Sequence, residues 1–485
     1  MATKSGSDFQ ESCCFTERGS GRWQIDAPPA TLASRSTGAS VSPPEYKPVL
    51  RTRRRRGVCL LALGAATAAR GQRRLLRFTP GGTMTVRRIP AFLVILAVFA
   101  LISPGGAAAE TPPGPPPLPP LPGAARVCPP GGPPATARCH ALVPTDGVRP
   151  FAAASPYGMS PDQIKTAYGF SKHLAAGGGR TIAIVDAYHS PTAETDLSTF
   201  SQQYGLPACT TANGCFRQVD QRGKLGGAAT VDERWALEIA LDVQWAHAIA
   251  PAARVLLVEA DNNSFSNLLA AVDFAKTNAQ YVSLSWGAGE FATQTFYDAR
   301  FLQAGVSFFA SSGDSGLPAS YPSASPNVIS VGGTHLPFDT TTLTLVVNPD
   351  GTLTETGWSG SGGGCSRFDK ATTAQAAFSQ YAQVKCRGKR ATPDVSLDAD
   401  PASGVSVYNG TPYAGQIGWW KVGGTSASAP MWAARSAVAG VVVNAAYVYG
   451  GSIAYRDITV GNNGASALPG YDLVTGRGSW IGANP

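Results

Sequence analysis

Charge and histidine are both scarce in this chain. Only 14% of its 485 residues are charged, and there are five histidines. His140, His173, His189 and His335 read as linker, surface or loop residues, and His247 stands near the predicted end of a helix, before Pro251. Long apolar runs are also missing. Residues 91–102 form an apolar stretch of about a dozen, short of the ~20 needed to cross a bilayer, so no stable membrane span is expected. A net positive charge is absent from most of the chain as well. Residues 1–90 hold 16 Lys and Arg against 5 Asp and Glu, a surplus of 11 that exceeds the whole chain's +8, so the remainder is net negative by 3. A folded part without a basic footprint is a poor nucleic-acid binder, and none is expected as a partner.

The first third of the chain is compositionally unlike the rest. Residues 1–83 read as a non-native upstream or disordered basic segment, with a run at Arg51, Arg53, Arg54, Arg55 and Arg56. Met84 opens a second beginning. Arg87 and Arg88 precede the apolar stretch and Ala107, Ala108 and Ala109 follow it, so 84–109 reads as a secretory signal peptide. Residues 110–155 form a Pro/Gly-rich linker or short prosegment, and 110–134 should be extended, poorly packed and mobile. Six of the nine cysteines lie after the signal, at 128, 139, 209, 215, 365 and 386. Their spacing is not metal-like, and the even count fits export to an oxidising compartment. Fifteen pairings are possible; the sequence-local one joins 128 to 139, 209 to 215 and 365 to 386.

From residue 156 onward short apolar runs alternate with helix-compatible segments. The runs fall at 181–185, 254–258, 281–284, 306–310 and 328–331, with a helix over 266–275 between two of them. This order predicts a doubly wound α/β fold, a mostly parallel sheet with helices on both faces, as one domain over 156–485. Sites in such sheets lie at the carboxyl ends of strands, which draws attention to Asp186, Ser285 and Asp314. Residues 234–249 form an apolar helix that nonetheless carries Glu238 and Asp242, four apart and so on one face. His247, nine residues from Glu238, points to the opposite side. Gly423 and Gly424 precede Thr425 and Ser426, a pattern that seats a serine hydroxyl at the start of a helix, with Pro430 in its first turn. Unpaired amides there favour developing negative charge.

Several of these motifs occur together and in one order: Glu238 with Asp242, the run Ser283, Leu284, Ser285, Trp286, Gly287, then Ser312, Gly313, Asp314, Ser315, Gly316, and finally Gly424 through Pro430. In them the chain resembles the sedolisin family, serine-carboxyl peptidases on a subtilisin-like fold. The resemblance implies Ser426 as nucleophile, Glu238 as general base, Asp242 as its supporting acid and Asp314 in the oxyanion hole. It also implies that Asp186 and Trp286 extend the acid network. One structural Ca2+ ion is implied, held by Asp457, Ile458, Gly470 and Asp472, with Leu468 where relatives often carry glycine. Relatives commonly have a large folded prosegment, whereas about 46 residues separate signal from core here.

The chemistry such a site needs is acidic. A carboxylate base works only when ionised, and an aspartic acid donates to an oxyanion only when protonated, so both conditions meet below neutrality. The expectation is a secreted monomer that cuts protein or peptide substrates at acid pH, as an endopeptidase or a tripeptidyl-peptidase. Two alternatives stand beside it. Asp186, His247 and Ser426 occur in the chain order of a neutral subtilisin-type enzyme, although no histidine lies in that family's His-Gly-Thr setting. A secreted binding protein that has lost catalysis is the other.

Overall fold

The computed structural model describes residues 123–130, 133, 135–145, 151–228, 230–451 and 453–482. The basic segment and the expected signal peptide lie outside these residues. The described chain begins with three short strands, β1 (Ala124–Arg126), β2 (Arg138–Cys139) and β3 (Leu142–Pro144), followed by helix α1 (Pro161–Tyr168). β1 and β3 pair antiparallel, and Val127, Cys128 and Cys139 are buried. The end of the Pro/Gly-rich stretch is therefore packed, contrary to its composition. The reason is local: apolar residues sit between the prolines, and a bond between Cys128 and Cys139 closes this stretch on itself. The other two pairs, 209 with 215 and 365 with 386, are also sequence-local.

The body is built on a sheet whose central strands are β4 (Thr181–Ala187), β5 (Phe216–Asp220), β6 (Arg254–Ala260), β7 (Tyr281–Leu284), β9 (Ser307–Ser311) and β10 (Ile329–His335). Their order is β10-β9-β7-β4-β6-β5, every neighbouring pair parallel. Beyond β10 come Val395–Asp398 and Ser479–Trp480, still parallel, and then Tyr455–Arg456, which runs antiparallel at the edge. β4 is buried along its whole length, which is why it reads as an unbroken apolar run ending in one acid.

Four helices matter to the site and its frame. α2 (Ala193–Tyr204) and α3 (Glu233–Ile249) pack together, and α3 packs on β4 and on the helix Thr425–Ala439. α4 (Phe265–Asn278) covers β4, β6 and β7. α3 starts where the Asp232 side chain accepts from the amides of Arg234 and Trp235, satisfying two of the unpaired first-turn donors.

The helix Thr425–Ala439 begins five residues before Pro430, so this proline lies inside it rather than in its first turn. Lacking an N–H, Pro430 cannot bond the carbonyl of Ser426 four residues back. That carbonyl instead accepts from the Ser285 hydroxyl at 3.5 Å. The same helix ends in Gly440 with φ 69°, a left-handed cap.

Candidate active site

Ser426 is the second residue of its helix, and its amide, without a partner inside the helix, donates to the His140 carbonyl at 3.5 Å. Gly424, with φ 93°, precedes it; a side chain there would lie 1.9 Å from the His140 carbonyl oxygen, so only glycine permits this approach. The Ser426 hydroxyl donates to the Ser285 carbonyl at 3.3 Å. Residues 285 and 286 follow β7 directly, at its carboxyl end, before the short strand β8 (Trp286–Gly289).

Asp314 stands just past the carboxyl end of β9 and is tied to the start of the serine helix. Its Oδ1 accepts from the Thr425 amide at 2.9 Å and from the Thr425 hydroxyl at 2.9 Å, while that hydroxyl accepts from the Gly313 amide at 3.1 Å. With Oδ1 committed twice, a proton on this carboxyl belongs on Oδ2. Burial raises its pKa to about 6, against the pull of the Thr425 amide and of Arg126. Arg126 is itself attached here, donating from Nη2 to the Asp314 carbonyl at 3.1 Å.

Glu238 and Asp242 are completely buried on α3. Asp186 at the end of β4 joins them. Burial first, then repulsion from Asp186, drives the Glu238 carboxyl well above its usual range. Asp242 is driven up by burial, Asp186 and Glu238, and Asp186 rises to about 8 through burial and its neighbour Glu259. The Ser426 hydroxyl and the Ala141 amide lie beside Glu238 and ease its charge, as the Ser285 hydroxyl does for Asp242. None of the six oxygens of these three acids closes a hydrogen bond among the described residues. Like charges this close cannot all ionise, so the cluster holds protons in common.

Trp286, expected in the acid network, and His247, expected on the far side of the helix, both bond away from the acids. The Trp286 indole donates to the Val185 carbonyl at 2.8 Å and its ring packs edge-on against Phe265, so it walls the site without bonding the acids. His247 turns away from the serine: its Nε2 meets the Pro207 carbonyl at 2.9 Å, close to Cys209 and Cys215. Those two sulfurs are joined to each other and are not metal ligands.

Sequence reasoning missed three participants. His140, read as a linker residue, is buried with Nδ1 2.7 Å from the Ser311 hydroxyl. Glu259, in register with Asp186, gathers His189 Nδ1 at 2.8 Å, the Ser190 amide at 2.9 Å and the Gln218 amide group at 2.7 Å. The Ser285 carbonyl is the third. Only the position of Glu259 at a strand's carboxyl end could have signalled it.

The expected calcium ligands form one loop region. The Gly470 amide donates to both Asp457 oxygens, at 3.0 and 2.9 Å, which brings residues thirteen apart together. Asp472 is buried, and no basic side chain pairs with it among the described residues. Its Oδ1 takes the amides of Val474 and Thr475, and its Oδ2 takes that of Leu468 at 3.0 Å, leaving Oδ2 the freer oxygen. Two carboxylates plus the carbonyls of Ile458 and Gly470 make an all-oxygen donor set of the kind a hard cation takes, and the buried Asp472 carboxylate, held by amides but by no basic side chain among the described residues, fits one.

A model of the subtilase family matches residues 228–447. Kumamolisin from Bacillus sp. (strain MN-32) is 30% identical over 378 residues, covering 68% of this chain and 63% of kumamolisin. Xanthomonalisin from Xanthomonas sp. (strain T-22) is 27% identical over 411 residues, covering 70% of this chain and 47% of its own length. The chain thus spans between about half and two thirds of these curated relatives. A solved structure of Pseudomonas sedolisin, a serine-carboxyl proteinase complexed with pseudo-iodotyrostatin, superposes with a TM-score of 0.54 at 26% identity, covering 67% of this chain and 96% of that one. The fold is therefore the subtilisin-like α/β fold. Within it, the chain is similar to the sedolisin-type peptidases kumamolisin, xanthomonalisin and sedolisin.

Proposed function

We propose that this protein is a secreted serine-carboxyl peptidase that hydrolyses protein or peptide substrates at acid pH through an acyl-enzyme on Ser426. One observation carries the reading: at the start of one helix Ser426 has a carboxyl, Glu238, beside its hydroxyl and a second, Asp314, bound to the adjoining residue, while His247 is engaged elsewhere. An acid rather than an imidazole is then the group within reach of the serine proton.

In the first step the Ser426 oxygen attacks the substrate carbonyl and its proton passes to Glu238. Asp242 and Asp186 hold the shared protons of the cluster and keep Glu238 from carrying an isolated buried charge. The tetrahedral oxyanion is met by the Ser426 amide and by the protonated Asp314 Oδ2. Collapse breaks the C–N bond, and Glu238 returns its proton to the leaving amine. Water then attacks the acyl-enzyme by the same route. Asp314 is needed protonated and has a pKa of about 6, so activity is present below that value and lost as pH rises through it. The falling limb at low pH belongs to the last ionisation of the three-acid cluster, whose proton affinity is raised chiefly by burial.

Asp457, Ile458, Gly470 and Asp472 are the residues that would hold one Ca2+ ion, which would supply a structural clamp on the loop that follows the edge strand. Three sequence-local disulfides support export to an oxidising compartment. No described helix is long and apolar enough to cross a membrane. The reading is tested by incubating the purified protein with a denatured protein substrate across pH. Hydrolysis with a maximum well below neutrality is expected; a maximum above pH 7, or no hydrolysis at any pH, overturns it.

A further inference from the structure

We propose that Glu259 and His189 form a charged pair behind the acid cluster that fixes a proton on Asp186 and so drives the cluster's negative charge to Glu238, beside the serine. The proposal rests on the peptidase reading above and gives that site two positioning residues, which act on the serine only through the acids.

Glu259 is the only acid of β6, and it is fully buried. Both of its oxygens are fully subscribed. Oε1 accepts from the Ser190 amide at 2.9 Å and from the Gln218 side-chain amide at 2.7 Å, while Oε2 accepts from the Ala228 amide and meets His189 Nδ1, each at 2.8 Å. Gly227, with φ 76°, makes room for this arrangement: a Cβ there would lie 1.8 Å from Oε2 and 2.8 Å from His189 Nδ1. A proton on Glu259 would point at one of these donors, so the ring of donors holds it as the carboxylate.

Asp186 is set against that charge. It is the register partner of Glu259 on the adjacent parallel strand, it is fully buried, and neither of its oxygens closes a hydrogen bond among the described residues. Of two neighbouring buried carboxyls, the one with donors keeps its charge and the one without takes the proton. After burial, Glu259 is what raises the proton affinity of Asp186, whereas Glu238 and Asp242 feel Asp186 rather than Glu259. The influence runs from strand to strand to helix. A single negative charge shared by three acids settles where it costs least. Glu259 makes Asp186 the worst of the three places, and of the other two only Glu238 has the Ser426 hydroxyl beside it.

His189 tempers the charge from the other side. Its ring is 20% exposed, its backbone amide is tied to the Thr230 carbonyl at 2.8 Å, and its hydrogen bond to Glu259 raises its pKa, so it is protonated throughout the acid range. The other charged groups nearby are already engaged. Asp220, opposite Glu259 on β5, is held by Arg222 and by the amides of Arg222 and Lys224. Arg234 at the start of α3 pairs with Asp232, and Lys276 on α4 pairs with Asp273.

The test compares pH profiles of kcat/KM on one peptide for wild type, Glu259→Gln, His189→Gln, and Asp186→Asn alone and combined with His189→Gln. Glu259→Gln removes the negative charge, and its low-pH limb is expected to move down by about 1 unit. His189→Gln removes the positive charge, and its low-pH limb is expected to move up by about half a unit. The limb near pH 6 belongs to Asp314 and is expected to stay in place in both. Damage to the fold lowers the height of a profile; it does not move one limb in opposite directions. In the Asp186→Asn background, His189→Gln is expected to move the limb by less than about 0.2 unit, because the group that answers the charge is gone. His189, partly exposed, keeps the test open should Glu259→Gln fail to fold. A low-pH limb that stays put in a folded single variant, or that moves the same way in both, overturns the proposal and leaves the peptidase reading standing. So does a His189→Gln shift that persists with Asn at 186. No hydrolysis by wild type at any pH overturns the peptidase reading, and the proposal with it.

Discussion

Replacing Asp314 by Asn separates the oxyanion role of this residue from a merely structural one. Asn preserves the shape of the carboxyl and keeps an oxygen where Oδ1 accepts from the Thr425 amide and hydroxyl, both at 2.9 Å. Where Oδ2 stood it places an amide NH2, a donor that does not titrate. In the native protein the donor exists only while Asp314 is protonated. With a pKa of about 6, the protonated fraction falls from ~90% at one unit below to ~10% at one unit above, roughly a tenfold loss of the competent form. The assay is kcat/KM on one peptide at about pH 5 and about pH 7, for wild type and Asp314→Asn, reported as the ratio between the two pH values. Uniform weakening by the amide cancels in that ratio. The wild-type ratio should be ~10, and the variant's should fall toward 1. Asp314→Ala, with no donor at all, should lose about 10²–10³ in kcat at every pH. A variant Asn enzyme with the same fall between the two pH values as wild type would refute the assignment.

Other outcomes follow from the same geometry. Glu238→Gln should reduce kcat by at least ~10²-fold because the serine proton loses its acceptor, whereas His247→Ala, remote from the serine and bonded to Pro207, should leave kcat within about a factor of two in the folded fraction. Chelation should lower the melting temperature by a few degrees, corresponding to ~2.7 kcal/mol if the ion is present at about 100 times its Kd; an unchanged melting temperature would remove the metal from the account. Asp394→Ala should destabilise the fold by about 3–5 kcal/mol in denaturant titrations. It strands the fully buried Arg390, whose Nη1 donates to Asp394 at 2.8 Å, and also frees the Tyr449 hydroxyl.

The parts of the molecule that were legible in the sequence are those set by local pattern. The run at 181–185 is a strand because each side chain is buried, and 234–249 is a helix because its apolar residues leave no polar face. The pairing of Glu238 with Asp242 was readable from helical spacing, and Asp186 from its place at a strand end. What could not be read depends on contacts across the sequence. His140 looks like any linker histidine until β2 lays it against Ser311, and no periodicity marks a carbonyl such as that of Ser285 as a receptor. Trp286 was misplaced because its position in the chain says which wall it belongs to, not which way its indole N–H points. Pro430 was misplaced by the usual preference of proline for a first turn, which the helix overrides by giving its carbonyl at 426 to Ser285.

The strap formed by residues 138–142 is moored at two places that the ribosome makes at very different times: β8 in the middle of the chain and Gly423 near its end. Neither mooring alone closes over Ser426. A parallel sheet assembled from such distant pieces forms slowly, because loop entropy is spent before its contacts are gained. Both moorings exist only once the sheet has formed, so the strap is among the last pieces to seat.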